Sequence, residues 1–109
     1  MNVEEMREKL KSVETITFSK HFYEPKVRLR GINESEVTYN IRNPMKLEVV
    51  EDQGKDVKGY KYGLLFHKSN KYDLKVVVSI KDKSLNVITS YVQNKRRRKV
   101  FEKWLRKLR

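Results

Sequence analysis

The sequence has no cysteine, which excludes a disulfide scaffold and any thiolate-bound zinc or iron–sulfur centre. Two histidines do not by themselves make a typical transition-metal site, and no cofactor is expected. Glycine is scarce, at 4 residues, and proline scarcer, at 2. No glycine-rich phosphate loop is present, nor a nucleophile elbow, a paired-carboxylate site or a helix with two spaced histidines. P-loop, kinase, glycosidase and zinc-hydrolase chemistries therefore lack their parts. No apolar run exceeds three residues, as in Val76 to Val78, far short of the ~20 residues that a membrane helix needs. The first ten residues carry three glutamates and no apolar block. No secretory signal is read there, and the cytoplasm is the expected compartment.

What the chain has in excess is positive charge. Lys and Arg number 26 against 14 Asp and Glu, a net charge of +12. Residues 95–109 supply +8 of it: Lys95, Arg96, Arg97, Arg98, Lys99, Lys103, Arg106, Lys107 and Arg109 face a single acid, Glu102. Five consecutive cations repel one another, and such a cluster attracts a polyanion, of which nucleic acid is the commonest. A solvated, solubilising tail is the plainer alternative. With 109 residues the chain bounds to one domain, and 38% apolar against 37% charged residues describes a lean core under a charged surface.

Val3, Met6, Leu10 and Val13 recur at helical spacing, which predicts a first helix over about residues 2–12. Residues 14–18 read as a short strand or an extended lead-in. Ser19 is positioned to cap a second helix. Pro25 requires that helix to begin near it or to kink there. Asn33 and Glu36 form a capping-box-like pair opening a helix from Glu34 to about Arg42, which Asn43-Pro44 ends. The period then changes to two. Leu47 and Val49 alternate against Lys46, Glu48 and Val50, and residues 53–59 read as a flexible polar loop. Residues 60–67, 74–80 and 85–92 read as strands joined by short turns, with 74–80 central. Val100, Phe101, Trp104, Leu105 and Leu108 fall on one helical stripe. That stripe suits a terminal helix docked on the domain, or a basic amphipathic helix on an anionic membrane surface. The expected fold is α+β: N-terminal helices on one face of a roughly four-stranded antiparallel sheet, followed by a basic amphipathic C-terminal helix.

A further pattern combines His21, Arg30-Gly31-Ile32, Asn43-Pro44, and Val87-Ile88-Thr89 followed by Tyr91. It resembles a small bacterial and archaeal domain family of formally unknown function, itself similar to the ribonuclease toxins of the barnase–colicin–RelE group. The resemblance covers residues 17–93 of a single domain spanning 1–109, between the N-terminal helix (1–13) and the basic helix (95–109). Pro25 departs from the family's unbroken helix between the His and the Arg. The resemblance implies a metal-independent endoribonuclease cleaving RNA by attack of the 2′-hydroxyl, and an acidic antitoxin partner that masks its surface.

Such cleavage needs a base, cations for the phosphorus-centred charge and help for the leaving oxygen. A histidine of pKa about 6.5 suits the proton transfers. Arginine's planar fork suits phosphate. His21 and Arg28 are seven residues apart and share a helix face, and Arg30 sits beside Gly31, where a phosphate can approach closely. With Tyr91 they form the candidate catalytic set. The plain alternative is a surface His21 and solvating arginines. His67 shows no partner in the sequence and reads as an end-of-strand polar residue. Tyr60, Tyr62 and Tyr72 lie among Lys58, Lys61, Lys68, Lys71 and Lys75. This interleaving suits single-stranded nucleic acid, and equally suits strands with aromatic residues inward and lysines guarding an edge. Lys95, Arg96, Arg97, Arg98, Lys99, Lys103, Arg106 and Lys107 are the candidate nucleic-acid-binding set. Three functions stay open: the endoribonuclease, a non-catalytic nucleic-acid-binding protein, and a peripheral protein whose basic helix meets a partner or membrane.

Overall fold

The computed structural model describes residues 1–23 and 32–98. Helix α1 runs Val3–Ser12, with the Asn2 side chain accepting a hydrogen bond from the Glu5 N–H at 2.8 Å. Glu4 and Glu5 lie in its first turn and Lys9 and Lys11 in its last, as the helix dipole favours. Its predicted stripe is buried: Met6, Leu10 and Val13 enter the core and Val3 packs at its margin. Strand β1 (Thr15–Phe18) follows. A 3₁₀ turn, Lys20–Tyr23, then drops Phe22 into the core. Residues 24–31, where the rest of the predicted second helix falls, lie outside the described residues.

Helix α2 is Glu34–Arg42. Asn33 caps it by accepting from the Glu36 N–H at 2.8 Å, and Pro44 begins a short 3₁₀ turn, Pro44–Lys46, directly after it. Val37 and Ile41 form its buried edge. Arg42 fastens α2 to the chain after α1 by donating to the carbonyls of Val13 and Glu14. Arg7 of α1 donates to the Leu47 carbonyl at 2.8 Å, which ties the helix layer to the sheet.

Among the described residues the sheet has five strands in the order β1-β5-β4-β3-β2, where β2 is Leu47–Asp56, β3 Gly59–His67, β4 Tyr72–Lys81 and β5 Ser84–Asn94. Strands β2 to β5 form an antiparallel meander, and β4 is central as expected. The expectation of four antiparallel strands is corrected by β1, which joins the edge beside β5 in parallel, pairing Thr15 with Ser84 and Phe18 with Val87. The core lies between the helices and one sheet face. It holds Tyr62, Leu64, Phe66, Leu74, Val76, Val78, Ile80, Leu85 and Val87. Each fully buried large apolar side chain contributes about 1.5–3 kcal/mol relative to exposure.

Two local expectations are also corrected. The polar stretch 53–59 is not a loop but the end of β2, a tight turn at Val57 and Lys58, and the start of β3. Asp52 and Asp56 side chains accept from the N–H groups of Gly54 and Lys58. Gly59, at φ +121°, lets the backbone pass against Ile80, whose carbonyl oxygen lies 2.3 Å from where a Cβ would stand. Leu47 and Val49 do not share a face. A register shift between them puts Leu47 opposite Phe66 in the core and Val49 opposite Leu65 on the outer face. Of the expected basic C-terminal helix, Arg96, Arg97 and Arg98 are helical, and residues 99–109 lie outside the described residues. Lys99, Lys103, Arg106 and Lys107 lie outside the described residues. Among those described, no helix is long and apolar enough to cross a membrane.

Candidate nucleic-acid interface

The turn between β3 and β4 and the exit of β5 meet at one end of the sheet. Register places Tyr72 beside Asn94 and Asp73 between His67 and Gln93. The turn is held by the Lys68 and Ser69 N–H groups donating to the Tyr72 carbonyl at 3.2 and 3.0 Å. The outgoing chain is held by the Lys95 N–H donating to the Lys71 carbonyl at 2.8 Å. The backbone thus brings Lys71, Tyr72 and the basic run together although they are far apart in sequence.

The structure divides the basic run by helical spacing. Lys95 and Arg98 turn inward, one helical turn apart. Arg98 Nε donates to Asp73 Oδ2 at 2.6 Å, one terminal nitrogen donates to Asp73 Oδ1, and that nitrogen also reaches Glu48 at 2.9 Å. Lys95 Nζ lies 2.6 Å from His67 Nδ1, 3.4 Å from Glu48 and 3.7 Å from Asp73. The Asp73 side chain is wholly buried, at 0% exposure. A charge there demands such partners, because desolvation without pairing is costly. The hydrogen bond from Arg98 holds the Glu48 carboxyl below its usual pKa against a smaller opposing effect of burial, and Lys95 adds to the lowering. Burial pulls the Arg98 pKa down, but the bonds to Asp73 and Glu48 outweigh it and leave it raised.

Arg96 and Arg97 face the other way. Both are exposed, and neither has a carboxylate partner among the described residues. The Arg96 N–H is fixed by Asn94 Oδ1 at 2.9 Å, so the backbone carrying them is ordered by the same end of the sheet. Lys71 is exposed beside them, and the Tyr72 ring is 44% exposed. Lys68 at the same turn is engaged by Glu36 of α2 at 2.7 Å. The result is three outward cations and an open aromatic ring on a backbone clamped from behind.

The other aromatic candidates differ. Tyr62 is buried in the core, and burial raises its hydroxyl pKa. Tyr60 is exposed at the opposite end of the sheet, with the Lys55 ammonium 5.0 Å from its ring centroid. It lines a cleft of about 730 Å³ with Lys9, Ile80, Lys81 and Asp82. Tyr91 pairs in register with Lys75, whose ammonium stands 5.8 Å from its ring centroid. Lys75 is engaged by Glu51 at 3.0 Å.

Of the proposed catalytic set, His21 and Tyr91 fall within the described residues. His21 is exposed on the 3₁₀ turn after β1, next to Phe22, whose ring packs 4.8 Å from that of Phe18. The turn is anchored to β5 by Ser19, whose N–H and hydroxyl donate to the carbonyls of Val87 and Ile88 at 2.9 and 2.7 Å. Arg28 and Arg30 lie outside the described residues. Sequence reasoning missed the role of His67, which takes part in the network with Lys95 and Glu48. The one available signal was Asp73, a carboxylate at the head of an apolar strand, which calls for a cation from elsewhere.

Compared with known protein families, curated proteins and solved structures, the chain matches none.

Proposed function

We propose that this protein binds single-stranded RNA through the sheet end formed by Lys71, Tyr72, Arg96 and Arg97. The observation that carries this reading is the division of the basic run. Lys95 and Arg98 are consumed by Glu48, His67 and Asp73, while Arg96 and Arg97 are exposed at the same end of the sheet as the exposed Tyr72, which pairs in register with Asn94. Cations pair with backbone phosphates, and an aromatic face stacks a base of any identity, so the combination favours a single strand over a duplex. The net charge of +12 adds long-range attraction to any polyanion. An acidic protein partner would compete for the same surface.

Cleavage is a separate claim about His21, Arg28, Arg30 and Tyr91, supported by the resemblance to ribonuclease toxins. One experiment addresses both. The full chain is titrated into a fluorescently labelled single-stranded RNA in chelator at low salt, and the RNA is then run on a denaturing gel. Binding with intact RNA supports the non-catalytic reading. Binding with cleavage that His21→Ala abolishes supports the endoribonuclease. No change in anisotropy at low salt refutes both.

A further inference from the structure

The end of the sheet opposite the basic run holds the cleft of about 730 Å³ that Tyr60 lines, within the roughly 300–1,000 Å³ range of small-molecule sites. Its deepest lining is apolar. The core residues Ile80 and Tyr62, 3% and 6% exposed, turn their remaining surface to it, and the exposed Val57 and Tyr60 line it as well. Gly59 makes this packing possible, since its φ of +121° lets the β2–β3 turn pass against the Ile80 carbonyl. Both walls are pinned. On one, the Asp56 side chain accepts from the Lys58 N–H at 2.8 Å, and the Lys58 carbonyl accepts from the Ser79 hydroxyl at 3.0 Å. On the other, Lys9 Nζ of α1 donates to the Asp82 carbonyl at 2.8 Å, and the Glu14 N–H donates to the Lys83 carbonyl at 2.8 Å. The walls are set before a ligand arrives, which lowers the cost of binding.

Charge narrows what the cleft can take. Among the described residues, Lys9, Lys55 and Lys81 line it against Asp56 and Asp82, a net of one positive charge. Lys9 is engaged by the Asp82 carbonyl. Lys55 and Lys81 are exposed and have no carboxylate partner among the described residues. The Lys55 ammonium stands 5.0 Å from the Tyr60 ring centroid, so one cation and one aromatic ring face the same space. Asp56 and Asp82 repel a second negative charge, which disfavours nucleotides and nucleic acid. The two tyrosine rings favour a flat aromatic body, through offset or edge-on contact. We propose that the cleft binds a small aromatic monoanion, a carboxylate or sulfonate on one or two fused rings, with the rings against Tyr60, Tyr62 and Ile80 and the anion met by Lys55 and Lys81. None of this depends on RNA binding, because the cleft shares no residue with the sheet end of Lys71, Tyr72, Arg96 and Arg97.

The test uses anilinonaphthalene sulfonate, a fluorescent aromatic monoanion, titrated into the full chain. Its emission is expected to rise and shift to the blue on binding. Naphthoate displaces it, while uncharged naphthalenemethanol and multiply charged ATP do not. The double variant Lys55→Ala, Lys81→Ala weakens the probe by about tenfold, the loss of two partly exposed charge pairs, and Tyr60→Ala weakens it as well. All three side chains are exposed, so the fold is expected to persist, which circular dichroism checks. Arg96→Ala, Arg97→Ala leaves probe binding unchanged. A second readout is thermal: naphthoate raises the unfolding midpoint of the wild type and not that of the Lys55/Lys81 variant. Equal probe affinity in the wild type and the Lys55/Lys81 variant overturns the proposal. So does loss of the probe in the Arg96/Arg97 variant, or displacement by ATP as effective as that by naphthoate.

Discussion

Arg98→Ala removes the two bonds to Asp73 and the 2.9 Å bond to Glu48. Asp73 stays fully buried, with Lys95 Nζ at 3.7 Å as its remaining cation among the described residues. Removing one partner from a buried pair costs about 3–5 kcal/mol, because the orphaned charge keeps its desolvation penalty. Two features reduce that figure. Lys95 remains in place, and the Arg98 side chain is 21% exposed, so water can enter the vacated space. The expected loss is about 2–3 kcal/mol. In a domain of this size each kcal/mol lowers the melting midpoint by about 4–8 °C, so the midpoint falls by roughly 10–20 °C. Thermal and urea unfolding followed by circular dichroism at neutral pH reads both quantities. The double variant Asp73→Leu, Arg98→Met removes the paired charges and keeps the volume. It is expected to regain most of the loss, because a buried pair exchanged for apolar residues is often neutral. Arg98→Ala unfolding within about 0.5 kcal/mol of the wild type, the range of an ordinary surface change, would refute the reasoning.

Other perturbations test separate parts of the account. Gly59→Ala forces a Cβ onto the Ile80 carbonyl at a φ of +121°, and a loss of roughly 1–3 kcal/mol is expected from that strain; an unchanged urea midpoint would contradict it. The folded-state pKa of Glu48 lies below its unfolded value. Its contribution is therefore present above the unfolded value, about 4.3, and is lost as the pH falls through the folded one. Glu48→Gln should flatten that acid limb of the stability profile and lower stability at neutral pH, and an unchanged limb would count against the network. Tyr72→Ala should weaken single-stranded RNA binding by about 1–3 kcal/mol, the loss of one stacked base, with unfolding little changed because the ring is exposed; equal affinity in an anisotropy titration would remove Tyr72 from the interface.

Local signals in the sequence were sufficient for α1, α2 and the central strand. Asn33 and Pro44 bracket α2 because a cap and a stop act within a few residues. The run from Leu74 to Ile80 reads as a central strand because it is a near-continuous apolar run, and residues on both its faces have low exposure. The parallel pairing of β1 with β5 was not legible, since it joins residues about seventy positions apart and leaves no period in either strand. The register shift at Glu48 was hidden for a related reason: one extra residue reverses the alternation beyond it. The hairpin through residues 53–59 looked like a loop because its edge strand is exposed there and needs no apolar residues. At the candidate site the basic run was plain, but its division was not. Helical spacing pairs Lys95 with Arg98, and only the partners Glu48, His67 and Asp73, supplied by three other strands, decide which pair turns inward.

The interface itself is tested most directly by the salt dependence of single-stranded RNA binding. The wild type is compared with the double variant Arg96→Ala, Arg97→Ala and with Lys55→Ala, Lys81→Ala at the far end of the sheet. Losing two phosphate contacts should make the slope of log K against log salt shallower by about 1.4 in the first variant and leave it unchanged in the second. Equal slopes in the wild type and the Arg96/Arg97 variant would show that the RNA is held elsewhere.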